Sequence, residues 1–153
     1  STMALRGLGV RYCEVLKHQQ EPRNRQFIAG FLRSIGMSNS RMDDKGQLSL
    51  SFSKSNGQPG DPLVLTFICH GSDSIDAVTF IGLIGKNEDN LKKLLEWNFV
   101  PMHHGGGQFA LEPRSDRLVM VGSWDTTKVS VEEFSKRLEE FINSAERGQA
   151  LFA

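Results

Sequence analysis

At 153 residues the chain has the length of one domain and can bury a core without disulfides or a structural metal. Its 18 Lys and Arg balance 18 Asp and Glu, with 39% hydrophobic and 24% charged residues, which suits a folded globular chain and argues against a strongly basic nucleic-acid binder, an acidic tail or a disordered segment. Two separated cysteines, Cys13 and Cys69, form no C-x-x-C pair, no apolar run reaches the length of a membrane span, and no signal peptide is visible, so a reducing cytoplasm is the default expectation.

Ser1-Thr2 ahead of Met3 reads as a cloning remnant. Leu5, Leu8, Tyr12, Val15 and Leu16 then form a helical stripe over residues 5–20, an N-terminal extension that Pro22 interrupts. Phe27, Ile28, Phe31, Leu32 and Ile35 recur at helical intervals and predict a helix over 23–35, with Gly36 in a C-terminal glycine position. Three strands follow. Leu48, Leu50 and Phe52 alternate with Gln47, Ser49, Ser51 and Ser53, which predicts one wet face. After a turn over 56–61, residues 63–69 are apolar almost throughout, so that strand is expected to be buried on both faces or covered by a partner. A turn over 71–74 leads to a third strand over 77–84, rich in Val78, Phe80 and Ile81.

Asn87 is a plausible N-cap for a short helix whose apolar side is Leu91, Leu94, Leu95 and Trp97, with Glu88 and Asp89 complementing its dipole and Pro101 marking its end. Residues 108–111 and 117–123 form a hairpin around the turn 112–116. Ser130 and Glu133 make a capping box, and Val131, Phe134, Leu138, Phe141, Ile142 and Ala145 stripe a long helix that Arg147-Gly148 is expected to terminate. The reading is therefore one α+β domain over 23–148, with an antiparallel twisted sheet of about five strands, three helices in the order α-β-β-β-α-β-β-α, and a tail over 149–153.

The stretch HHGGGQFALEP, residues 103–113, looks like the loop that supplies oxyanion-hole amides in lipases and esterases. That chemistry needs a serine on a G-x-S-x-G elbow and a separate histidine base, and no such pentapeptide occurs; Gly71-Ser72 and Gly122-Ser123 lack the flanking glycines. The glycines are expected to be a flexible connection instead. Cys69 and His70 are adjacent, so a strand points them to opposite faces, and His103-His104 offer no paired ligand spacing; no metal or cofactor is expected. His18 reads as a solvated helix residue. No phosphate loop occurs, Arg23, Arg25, Arg33 and Arg41 are dispersed among acids, and Glu132, Glu133, Glu139 and Glu140 read as a wet helix face. What is left is more apolar surface than one small sheet and three helices need, which suggests a binding surface or a dimer interface.

The ordered set NEDNLKKLLEWNF, GGGQFALEPRSDRLVMVGSW and VSVEEFSKRLEEFINSAERG resembles type III secretion chaperones of the Tir chaperone (CesT-like) family. That family shows a helix ending in LLxxN, a hairpin F-x-L-[DE]-P then L-x-L, and a final helix F-x-x-x-L-x-x-F-x-x-x-A-E. Here these fall on Leu94 to Asn98, on Phe109 to Pro113 with Leu118 to Met120, and on Phe134, Leu138, Phe141, Ala145 and Glu146. FIAGFLRSIGM, DDKGQLSLSF, PLVLTFICHG and AVTFIGLIG agree in order, so the resemblance spans about residues 24–147. The chain departs from it in being near neutral rather than acidic, in lacking a tryptophan soon after the A-E pair, and in its longer N-terminal extension.

The resemblance implies a homodimer of the bacterial cytoplasm with no catalytic, metal or cofactor residues, no nucleic-acid partner and no membrane insertion. Its implied partner is a secreted effector, bound through an extended segment near the effector's N-terminus. The first helix and first strands would supply the grooves, which implicates Phe27, Phe31, Leu48, Leu50 and Phe52 in effector binding. The second helix would supply the dimer contact, through Leu91, Leu94, Leu95 and Trp97. The rival readings are a small histidine/metal-dependent enzyme or accessory domain using His103 and His104, and a nucleic-acid-binding regulator.

Overall fold

The computed structural model describes residues 21–53, 61–85 and 87–153. The helix expected over 5–20, with its Cys13 and His18, and most of the turn expected over 56–61 lie outside the described residues.

Helix α1, Arg23–Ser34, starts after Pro22, whose ring presets φ at −53°, and ends where Gly36 takes φ 75°. Strands β1 (Gln47–Phe52), β2 (Leu63–His70) and β3 (Ser74–Leu83) follow. Helix α2, Glu88–Trp97, is capped as expected: the Asn87 side chain accepts from the Asn90 amide at 3.2 Å. A 3₁₀ turn, Pro101–His104, leads to β4 (Gln108–Leu111) and β5 (Arg117–Asp125). Helix α3, Val131–Leu151, opens on Ser130, whose hydroxyl accepts from the Glu133 amide at 3.1 Å.

All pairings are antiparallel, in the order β1-β2-β3-β5-β4. The expected order of three helices and five strands is therefore observed among the described residues. Two boundaries differ by three residues, the others by no more than two. Strand β3 begins at Ser74 rather than at 77, because it keeps pairing with β2 and β5 down to the turn. Helix α3 does not stop at Arg147-Gly148 but continues to Leu151, so most of the expected tail is helix. Gly148 serves there as a contact glycine: a Cβ on it would lie 2.7 Å from the ring of Phe109.

Helices α1 and α3 cover one face of the sheet. Phe134 sits at the centre, edge-on to Phe31 at 5.0 Å, to Trp124 at 5.3 Å and to Phe27 at 5.4 Å. Leu63, Leu65 and Phe67 of β2, Ile75 of β3 and Met120 of β5 complete this layer and are essentially inaccessible. Burial of such a side chain contributes about 1.5–3 kcal/mol, so this single layer supplies most of the drive to fold. The start of α1 is pinned by Asn24, whose buried amide donates to the carbonyls of Gly71 and Ser74, both at 3.0 Å. Strand β2 is buried on one face only, since Val64 on the other is 49% exposed. The expectation of two covered faces therefore fails for the single chain.

Candidate functional site

The glycine loop is packed rather than flexible. Gly105 adopts φ 66°, and a Cβ there would stand 1.8 Å from the Arg137 carbonyl oxygen, so only glycine lets the loop lie on the α3 backbone. A Cβ on Gly107 would meet the ring of Phe141 at 2.5 Å. The amides of Gly106 and Gly107 donate to Pro101 O at 2.9 Å and His104 O at 3.0 Å, so neither is free to hold an oxyanion.

His104 is buried and both ring nitrogens are engaged: Nε2 with Trp97 O at 2.8 Å, Nδ1 with the Ser144 hydroxyl at 2.7 Å. A carbonyl only accepts, so Nε2 donates; the Ser144 hydroxyl accepts from Arg147 Nη2 at 3.0 Å and donates to Nδ1. The ring has no nitrogen left for a metal, while its neighbour His103 is exposed. Among the described residues no group of three or more His, Cys, Asp and Glu is gathered for a metal.

Cys69 packs against the core, whereas His70 on the opposite face pairs with Asp76 at 2.8 Å in solvent. Burial pushes the Cys69 thiol up, with Arg25 pulling the other way, which makes it a poor nucleophile at neutral pH. Hydrogen bonds from the hydroxyl and amide of Thr127 hold the Asp125 carboxyl below its usual value and close the turn after β5. Both shifts belong to structure rather than catalysis.

The residues expected to meet an effector divide in two. Phe31 and Leu50 are only 2% and 4% exposed, so in the single chain they belong to the protein's own core. Phe27, Leu48 and Phe52 are half-buried at the core's margin. Leu48 and Phe52 stand on β1, which pairs with β2 on one side and with no strand on the other among the described residues. Asp43 holds the amide and the carbonyl of Gln47 at the start of that edge, each at 2.8 Å, and past Gln47 no described strand covers the main chain.

The residues expected in a dimer contact divide the same way. Leu94 is a core residue at 1% exposure, and Leu91 and Trp97 are partly buried, whereas Leu95 is 63% exposed. The periodicity overlooked the neighbours beyond the helix. Phe99 is 88% exposed and Met102 is 58% exposed, with Val100 between them. A lone Phe after an Asn breaks the helical stripe, and only its isolation next to Pro101 could have marked it in the sequence. Asn98 aims this corner: its side chain accepts from the Phe109 amide at 2.7 Å and donates to the Phe109 carbonyl at 2.8 Å, pairing with β4 as a strand would. The sheet face away from α1 and α3 is open as well, exposing Val64, Phe80 and Val121.

Comparison with known proteins agrees with this geometry. The model of the Tir chaperone protein (CesT) family matches residues 26–149. No curated protein matches the chain significantly. Among solved structures, a chain of the HopA1–SchA chaperone–effector complex superposes with TM-score 0.65 at 16% identity, covering 83% of this chain and 93% of that one. A chain of the Yersinia pestis type III secretion chaperone SycH in complex with a YscM2 fragment gives 0.62 at 14%, covering 80% and 97%. The ExoU–SpcU heterodimer of the Pseudomonas aeruginosa type III secretion system gives 0.60 at 17%, covering 82% and 97%. At such identities these structures testify to the fold, and the family match extends over most of the sequence. With its LLxxN asparagine bonded to the hairpin phenylalanine and its final apolar stripe filling the core, the chain belongs to the Tir chaperone protein (CesT) family.

Proposed function

We propose that the protein is a chaperone of the bacterial cytoplasm that holds an unfolded segment of a type III secreted effector in an export-ready state, and that it acts as a homodimer without catalysis. The observation that carries this reading is the β1 edge, which no described strand covers past Gln47, with Leu48 and Phe52 half-buried on it. An extended client segment gains main-chain hydrogen bonds along β1 and lays alternate side chains over these two residues, with Phe27 as a further apolar contact. The engaged histidine and the occupied glycine amides favour binding over chemistry. The family match and the three chaperone complexes of like fold support the same reading. Among the described residues no helix is long and apolar enough to cross a membrane.

The dimer contact is assigned to the corner of Leu95, Phe99 and Met102, whose apolar exposure is unusual for a monomer surface. The client assignment is tested by co-expressing the chaperone with a secreted protein encoded beside its gene. Joint Leu48→Asp and Phe52→Asp substitution should weaken binding about a hundredfold while leaving the melting temperature within about 5 °C. Amide exchange in β1 should slow in the wild-type complex. Unchanged affinity in the double variant, together with unchanged β1 exchange, would remove β1 as the client site.

A further inference from the structure

Between α1 and the segment 38–42 that follows it lies an open groove of about 400 Å³. Its floor is apolar, with the partly exposed Ala29 and Met42 lying over the core residues Ile28 and Leu32. Its rim carries Arg25, Arg33 and Arg41 against one carboxylate, Glu21. The ion pairs among the described residues engage Arg23, His70, Arg117, Lys128 and Arg137, and none of the three groove arginines. Arg25 donates to the main-chain carbonyls of Asp43 and Asp44 at 3.2 and 3.3 Å, which orients the guanidinium without neutralising it. Arg33 stands in the last turn of α1 and complements its dipole, an explanation that does not extend to the other two. In a chain whose formal charge is zero, three guanidiniums with no ion pair among the described residues are a local concentration of positive charge that an anionic partner would relieve.

We infer that this groove receives an acidic segment of the client, in which carboxylates alternate with aliphatic side chains. The inference rests on the chaperone reading above and adds a chemical signature to it. Guanidinium forks engage carboxylates in pairs of parallel hydrogen bonds, and Ala29 and Met42 offer the intervening apolar groups a surface. Through Asp43 and Asp44, Arg25 links the groove to the residues just ahead of β1. The chain's own first 20 residues are the wrong sign, with Arg6, Arg11 and Lys17 against Glu14 alone.

The test is fluorescence anisotropy of the intact protein with three labelled peptides of one leucine pattern, their polar positions filled by Glu, Gln or Lys. The Glu peptide should bind about tenfold tighter than the Gln peptide at low salt, the sum of three partly exposed ion pairs, and should lose most of that margin at high salt. Joint Arg33→Glu and Arg41→Glu substitution should abolish the preference for Glu and create one for Lys. Both sites are exposed, so the fold should survive, which circular dichroism checks. Equal, salt-insensitive affinity for the Glu and Gln peptides overturns the acidic signature and leaves the chaperone reading standing. No binding of any peptide, with no client retained on co-expression, removes both. Displacement of the Glu peptide by a short DNA duplex at equal concentration reassigns the groove to polyanions and overturns the inference. A changed sedimentation coefficient in the double variant reassigns it to a second copy of the chain, with the same effect.

Discussion

At the scale of single residues, close contact accounts for the loop glycines and for His104. The glycines of HHGGG are retained for space: Gly105 touches the backbone of α3 and Gly107 the ring of Phe141. That origin makes a sharp comparison possible. Gly71 also has positive φ, at 56°, but nothing lies within 4 Å of the Cβ it would carry. Gly71→Ala should cost about 1 kcal/mol, the backbone penalty alone. Gly105→Ala adds a collision with main-chain atoms that no rotamer relieves, and should cost more than about 3 kcal/mol in urea unfolding. Equal costs would mean that the loop is as loose as the glycine run suggests in isolation.

At the scale of elements, α2 is a short helix with one core residue, and its orientation depends on polar ties. Asn98 binds both main-chain groups of Phe109, and the side-chain Nδ2 of Asn90 donates to Leu151 O at 2.7 Å, so α2 is tied to β4 and to the end of α3. Asn98→Ala leaves the Phe109 N–H and C=O unpaired in a partly buried site and should cost about 2–3 kcal/mol. Asn98→Asp keeps the acceptor and loses the donor, so a smaller loss is expected. Exchange of the Phe109 amide should accelerate more in the Ala variant than in the Asp variant. A uniform effect across the sheet would instead point to a general loss of packing. This pair of bonds also explains why a helix ending in LLxxN precedes a hairpin starting with F-x-L in one motif set.

At the scale of the molecule, an asymmetric distribution of cover organises the fold. One face of the sheet is sealed by two helices, while among the described residues nothing covers the other face, the β1 edge past Gln47 or the Phe99 corner. A stable dimer needs about 800 Å² from each partner, and an apolar corner beside an open sheet face can supply it. Phe99→Asp should therefore convert a dimer to a monomer in sedimentation at micromolar concentration while leaving secondary structure intact, because Phe99 is 88% exposed in the single chain. Leu94→Asp, at 1% exposure, should unfold the chain instead. A dimer that survives Phe99→Asp unchanged would move the interface elsewhere.

The sequence by itself determined the elements and their order. Period-2 alternation in β1, the capping pairs at Asn87 and Ser130, and the stripe from Phe134 to Ala145 are local signals, each written within a few residues. It also determined the family, because Asn98, Phe109 and the final helix keep a fixed order along the chain. Only the tertiary structure decided which apolar residues the core takes and which it leaves. Phe31, Leu50 and Leu94 carry the same periodic mark as Phe27, Leu48 and Leu95, yet the first set is buried and the second is not, because exposure depends on which elements cross above a residue. The same holds for His104 and the glycines: their role rests on α3 passing within contact distance, a relation between segments some forty residues apart that no local pattern encodes.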